Sequence, residues 1–190
     1  MSRNIQEHIL QTASDLFYQQ GIRNTGVDTI VKAAGIAKMS LYKYFPSKDD
    51  LILAYLQRSE VAMLELIRQG MAEKKGTPQE QLLAVFEVFE NLLKHEQFRG
   101  CPFIKAASEF AADSNPVQQA TADFYQDFCT VIAEQAKVVG VADPELLAEQ
   151  WVLLIIGAII REQVQRNSGA IQHAAKAGQV LLEQVLNLKT

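Results

Sequence analysis

Residues Thr25 to Leu51, TGVDTIVKAAGIAKMSLYKYFPSKDDL, read as two short helices joined by a tight turn. Thr25 can cap the first helix through its hydroxyl, with Asp28 three positions on to reach back to the exposed amide. Ile30, Val31 and Ala34 supply that helix's apolar side. Gly35 follows where a left-handed residue is needed to stop it, a conformation glycine takes without a Cβ penalty. The turn is then Gly35-Ile36-Ala37. A second helix, residues 38–45, points Leu41 and Phe45 inward at helical spacing and leaves Lys38, Ser40, Tyr42, Lys43 and Tyr44 facing largely outward. Pro46 ends it, and Ser47 with Asp50 forms the next cap, ahead of an apolar run that opens at Leu51. Two helices about a glycine turn, with tyrosines and lysines on the second, are the layout of a helix-turn-helix that reads DNA.

The rest of the chain shows helix starts just as plainly. Thr77-Pro78-Gln79-Glu80, Asn115-Pro116-Val117-Gln118 and Asp143-Pro144-Glu145 each place a capping residue before a proline at the first helical position. Ile5, Ile9, Ala13, Leu16 and Phe17 share one face of an opening helix. The pattern predicts nine helices, over 3–20, 26–34, 38–45, 48–71, 78–95, 102–112, 116–139, 144–166 and 170–187. No alternating strand pattern and no Asn-Gly or Asp-Gly hairpin turn competes with them. The fold class is therefore all-α, with an N-terminal three-helix domain over 1–47 and a helical domain over 48–190. The helix at 48–71 links the two, since no Pro/Gly/Ser-rich stretch separates them.

The run from Gly35 to Leu51 closely resembles the signature of TetR-family transcriptional regulators. The upstream pieces Leu16-Phe17-Tyr18-Gln19-Gln20-Gly21 and Thr25-Gly26-Val27-Asp28-Thr29-Ile30 match as well. Ala37 stands where a small hydroxyl residue is usual in that family, and Met39 where glycine is common. The resemblance implies double-stranded operator DNA as partner, with Lys38, Met39, Ser40, Tyr42, Lys43 and Tyr44 facing the major groove. Tyr42, Lys43 and Tyr44 would serve phosphates, and Lys38, Met39 and Ser40 would lie at the end that reaches base edges. Thr25, the amides around Val27, and Lys48 would anchor neighbouring phosphates. The resemblance also implies a small-molecule effector in the second domain that moves the two reading heads off operator spacing, making the protein a repressor.

Composition fits this reading once it is divided. The 190 residues are 48% hydrophobic and carry a net charge of −4. Residues 1–50 hold six Lys/Arg against five Asp/Glu, a balance of +1, whereas 51–190 hold twelve against seventeen, a balance of −5. Lys32, Lys38, Lys43 and Lys48 cluster on the segments that the motif places near phosphates. Cys101 and Cys129 are the two cysteines, a count that suggests a reducing compartment. The longest apolar run, Trp151 to Ile160, falls short of the about eighteen residues needed to cross a bilayer. Cytoplasmic residence without membrane contact is the expectation.

Trp151 to Ile160 is apolar all round, so a helix there must be covered on both sides. Together with a small-residue stripe through Ala174, Ala177, Gly178, Leu181, Leu182, Val185 and Leu188, it predicts a homodimer. Leu154, Ala158, Ala177, Leu181 and Val185 are the expected interface residues. The aromatic middle segment is the expected effector site, with Phe86, Phe89, Cys101, Phe110, Phe124, Phe128 and Trp151 as its lining. Lys105, Glu109 and Gln150 are polar candidates nearby. Cys101 supports an alternative, since a helix N-terminus and the adjacent Arg99 both lower a thiol pKa. Some electrophile- and oxidant-sensing members of the family carry a similar Gly-Cys element. A helical small-molecule-binding or enzymatic bundle is the alternative from another class. No phosphate loop, nucleophile elbow or zinc signature supports catalysis, and His8, His95 and His173 are scattered. Neither a cofactor nor a metal is expected.

Overall fold

A computed structural model describes residues 2–110 and 116–187. Among these residues the chain is all-helical: α1 (Ser2–Gln20), α2 (Val27–Ala34), α3 (Lys38–Tyr44), α4 (Lys48–Glu73), α5 (Pro78–Lys94), α6 (Pro102–Glu109), α7 (Pro116–Val139), α8 (Pro144–Val164) and α9 (Ala170–Asn187). None of them is long and apolar enough to cross a membrane. The chain forms two compact units, one of residues 1–61 with 101–123 and the other of 62–100 with 124–190. The first unit thus holds the helix-turn-helix together with the start of α4, all of α6 and the start of α7.

The caps form much as local chemistry dictates. Thr77 and Glu80 make a complete capping box at α5. The Asp143 carboxylate accepts from the Leu146 amide at α8 over 3.0 Å. Asp50 accepts from both the amide and the hydroxyl of Ser47, whose oxygen in turn accepts from the Asp50 amide. Asn115, the expected cap of α7, lies outside the described residues, as does Leu188. The expected helix over 102–112 is shorter: Phe110 leaves helical geometry and caps α6, and residues 111 and 112 are likewise outside the description.

In the first unit, Ile9, Ala13, Phe17, Ile30, Leu41, Phe45, Leu51, Ile52, Tyr55 and Leu56 are buried. Phe17 and Tyr55 pack with ring centroids 5.5 Å apart. In the second unit, α5, α8 and α9 pack on one another. Gly178 of α9 lets this happen, because a Cβ there would lie 2.5 Å from Phe86 Cζ and 3.3 Å from Trp151 Nε1. The Phe86 ring has little room to yield, being buried with its centroid 4.9 Å from that of Trp151. Gly178→Ala gains about 1 kcal/mol of helix propensity, yet overpacking costs about 1–3 kcal/mol. Thermal unfolding of this variant is expected below that of the native chain, and a raised Tm would show that the contact is soft.

Candidate nucleic-acid interface

The helix-turn-helix is set by the residue between its helices. Gly35 sits at φ +65° and caps α2, its amide donating to the Lys32 carbonyl and the following Ile36 amide to the Val31 carbonyl. The His8 ring, as the Nε2–H tautomer, donates to the Ala34 carbonyl over 3.0 Å and ties α1 to the same helix end. Beyond the turn, Leu41 and Phe45 are buried, so the register of α3 is fixed and its opposite side faces out. Met39, Tyr42 and Lys43 are exposed there, while Ser40 and Tyr44 are half-buried. The Lys43 ammonium stands 5.9 Å from the centroid of the Tyr44 ring. Lys38 is exposed but paired with Asp28 at 2.9 Å, which raises its pKa through the hydrogen bond and the charge.

Two residues expected to anchor phosphates do other work. Thr25 does not cap α2; Gly26 occupies that position with no side-chain cap. The Thr25 side chain is 0% exposed and its hydroxyl donates to the Gly21 carbonyl over 2.7 Å. A buried hydroxyl needs an internal partner, and the carbonyl at the end of α1 supplies it. Asp28, freed from the expected capping role, meets Lys38 instead. Lys48 is half-buried and its ammonium donates to the Ile22 carbonyl over 2.8 Å; burial pulls its pKa below the usual lysine value. Val27 remains at the head of α2, half-buried, beside a Gly26 that offers no competing oxygen.

The corner between α1 and α2 is braced by residues that local pattern did not single out for this purpose. The Glu109 carboxylate at the end of α6 accepts from the amides of Ile22 (3.1 Å) and Arg23 (2.5 Å). The Lys105 ammonium donates to the Tyr18 carbonyl over 2.9 Å and lies 5.0 Å from the Tyr18 ring centroid. Arg23 in turn covers the Phe110 ring at 5.5 Å. Glu109 and Lys105, read from sequence as polar contacts for an effector, are struts of the first unit.

The expected effector residues divide in the same way. Phe86, Phe89, Phe124, Phe128 and Trp151 are buried in the second unit. Phe89 and Phe128 pack at 5.5 Å, and Phe124 and Phe128 at 6.0 Å. Among the described residues, Trp151 Nε1 is a buried donor with no hydrogen-bond partner. Phe110 and Cys101 belong to the first unit. Cys101 caps α6 and is only 6% exposed. Cys129 is buried too, and loss of hydration pushes its thiol up to about 12, which makes it a poor nucleophile.

α8 is apolar on two sides, as its sequence demands. Leu147, Trp151, Val152, Ile155, Ala158 and Ile159 are buried within the chain. Leu146, Leu153, Ile160 and Val164 are exposed and recur at helical spacing along one stripe, with Leu153 at 67% and Val164 at 79%. On α9, Ala177 and Val180 are exposed, and Leu181 and Val185 are half-buried. A groove of about 530 Å³ runs along this face, lined in part by Leu153, Leu154, Gly157, Arg161 and His173. Of the expected interface residues, Ala158 is already covered within the chain, whereas Leu153, Ile160 and Val164 were not singled out.

Comparison with known proteins agrees with the all-helical fold. Residues 9–55 match the family of bacterial regulatory proteins called the tetR family, and residues 78–178 match the tetracyclin repressor-like C-terminal domain. The HTH-type transcriptional regulator YxaF of Bacillus subtilis is 31% identical over 140 residues, spanning 73% of each chain. The TetR-family regulator SCO4454 of Streptomyces coelicolor superimposes with a TM-score of 0.88 at 26% identity, over 95% of this chain and 89% of that one. The reduced form of NemR from Escherichia coli shares the fold, with a TM-score of 0.83 at 21% identity over 92% of this chain and 95% of that one. With both of its halves matched and the reading helix in place, the chain belongs to the TetR family of transcriptional regulators, and not to the enzymes.

Proposed function

We propose that this regulator is a homodimeric repressor whose paired α3 helices read an operator and which a small apolar or aromatic effector releases. The observation that carries the reading is the exposed face of Met39, Tyr42 and Lys43, held outward by the burial of Leu41 and Phe45. In this reading residues 1–47 form the reading head and 48–190 the regulatory and dimerisation domain. Lys43 neutralises phosphate, Tyr42 and Tyr44 donate hydroxyls, and the α2 amides around Val27 meet a neighbouring phosphate. Lys38 reaches DNA by exchanging its Asp28 partner. A regulator acting on DNA fits cytoplasmic residence.

Lys43→Ala removes one phosphate contact per subunit, so a dimer loses about 1.8 units from the slope of log affinity against log salt, taking about 0.9 per phosphate. Thr25→Val is the matched control. It loses a buried hydrogen bond worth about 1 kcal/mol of stability but leaves the salt slope unaltered. An unchanged slope for Lys43→Ala removes that residue from the phosphate contacts.

The exposed apolar stripe on α8, with Ala177 and Val180 on α9, supports dimerisation through these helices. A carboxylate buried there unpaired loses its hydration without compensation. Leu153→Glu and Ala177→Glu are therefore expected to sediment as monomers with full helical content, since both sites are exposed in the single chain. Dimers that persist at low concentration in both variants place the interface elsewhere.

For the effector, the buried aromatic cluster of the second unit supplies an apolar environment and Trp151 Nε1 a donor in want of an acceptor. A screen of small aromatic compounds for release of operator DNA is expected to yield inducers whose action survives Cys101→Ser. Loss of response to every inducer in that variant, while it stays folded and bound to operator, replaces the pocket with the thiol. The burial of Cys101 at the start of α6 favours its structural use.

A further inference from the structure

Met39 is 85% exposed, and among the described residues no other large apolar side chain is as exposed. It is the second residue of α3, one turn from Tyr42 and Lys43 on the same outward face. Its neighbours are differently engaged: Lys38 is paired with Asp28, Ser40 is half-buried and Leu41 fully so. The outermost group at the start of the reading helix is thus a flexible, polarizable thioether with no hydrogen to donate.

That chemistry restricts what it can meet. In the major groove, guanine offers acceptors, cytosine a donor and adenine one of each; thymine adds to its O4 acceptor the only methyl group, the largest apolar feature on that edge. A methionine set against the guanine oxygen would strip water from an acceptor and return no hydrogen bond, and against the cytosine amino group it would offer only the weak acceptor of its sulfur. Set against the thymine methyl, it removes two apolar surfaces from water together. The first residues of a recognition helix are those that reach base edges. We propose that Met39 is a specificity-determining residue that selects one thymine in each operator half-site through its C5-methyl group. This inference rests on the operator reading proposed above and assigns it a base.

The test uses the full-length protein and duplexes enriched from a random library. Each thymine of the enriched site is replaced in turn by uracil, which keeps the hydrogen-bonding edge and lacks only the methyl. One position per half-site is expected to weaken native binding by about fourfold, the equivalent of one buried methyl group, or about fifteenfold for both half-sites. Met39→Ala and Met39→Gln should each lose that sensitivity while keeping the native salt slope, because no charge is involved. The glutamine variant guards against a folding defect in the alanine one, and far-ultraviolet circular dichroism checks both. If sequence-specific binding occurs but no thymine shows a loss coupled to Met39, the assignment of Met39 is overturned and the operator reading stands. If no duplex is enriched at all, the operator reading fails and the inference fails with it.

Discussion

A helix of seven residues does not persist in water alone, where isolated helices need about 12–15 residues even in favourable sequences. α3 has only seven and carries no side-chain cap. Its order therefore comes from its surroundings: the left-handed Gly35 that turns the chain, and the burial of Leu41 and Phe45 against the core of the first unit. Everything proposed for Met39, Tyr42 and Lys43 depends on that imposed register. A helix rotated by one residue would turn Leu41 toward solvent and remove Met39 from the outward face.

The same unit is tightened where α1 turns toward α2. Three buried or half-buried polar groups, Thr25, Lys48 and Glu109, converge on the backbone of residues 21–23, and each satisfies a carbonyl or amide that no helix ladder covers. Thr25 and Lys48 are thereby drawn inward and engaged within the chain. Lys32, Lys38 and Lys43 remain exposed on the helix-turn-helix, with Lys38 shared by Asp28. A formal balance of only +1 over residues 1–50 is better suited to positioning by a few contacts than to strong non-specific attraction.

Sequence and structure agree where the determinants are local. The capping box of Thr77 and Glu80, the Ser47–Asp50 cap, the Asp143 cap and the Gly35 stop each involve residues a few positions apart, so the helix boundaries could be read directly. The double-sided apolarity of α8 was legible for the same reason, although which of its faces is outermost was not: Leu153, Ile160 and Val164 differ from Leu154 and Ala158 only by rotation about the axis. What remained hidden is long-range. Glu109 meets Ile22 across 87 positions and His8 meets Ala34 across 26, and no periodicity carries such a pairing. Thr25 failed as a cap because Gly26, one residue later, took the position, and burial then decided where its hydroxyl would point. Phe110 looked like part of an aromatic cluster by composition, but α6 ends there and its ring takes the Arg23 cation.

Operator recognition as proposed needs two copies of one short helix presented together. Hydroxyl-radical footprinting of the full-length protein on its selected operator tests this most directly. Two protected half-sites related by a two-fold axis, with centres separated by about 34–36 Å or a multiple of one helical turn, are the predicted result. A single unpaired protected segment, or protection without a dyad, would contradict it.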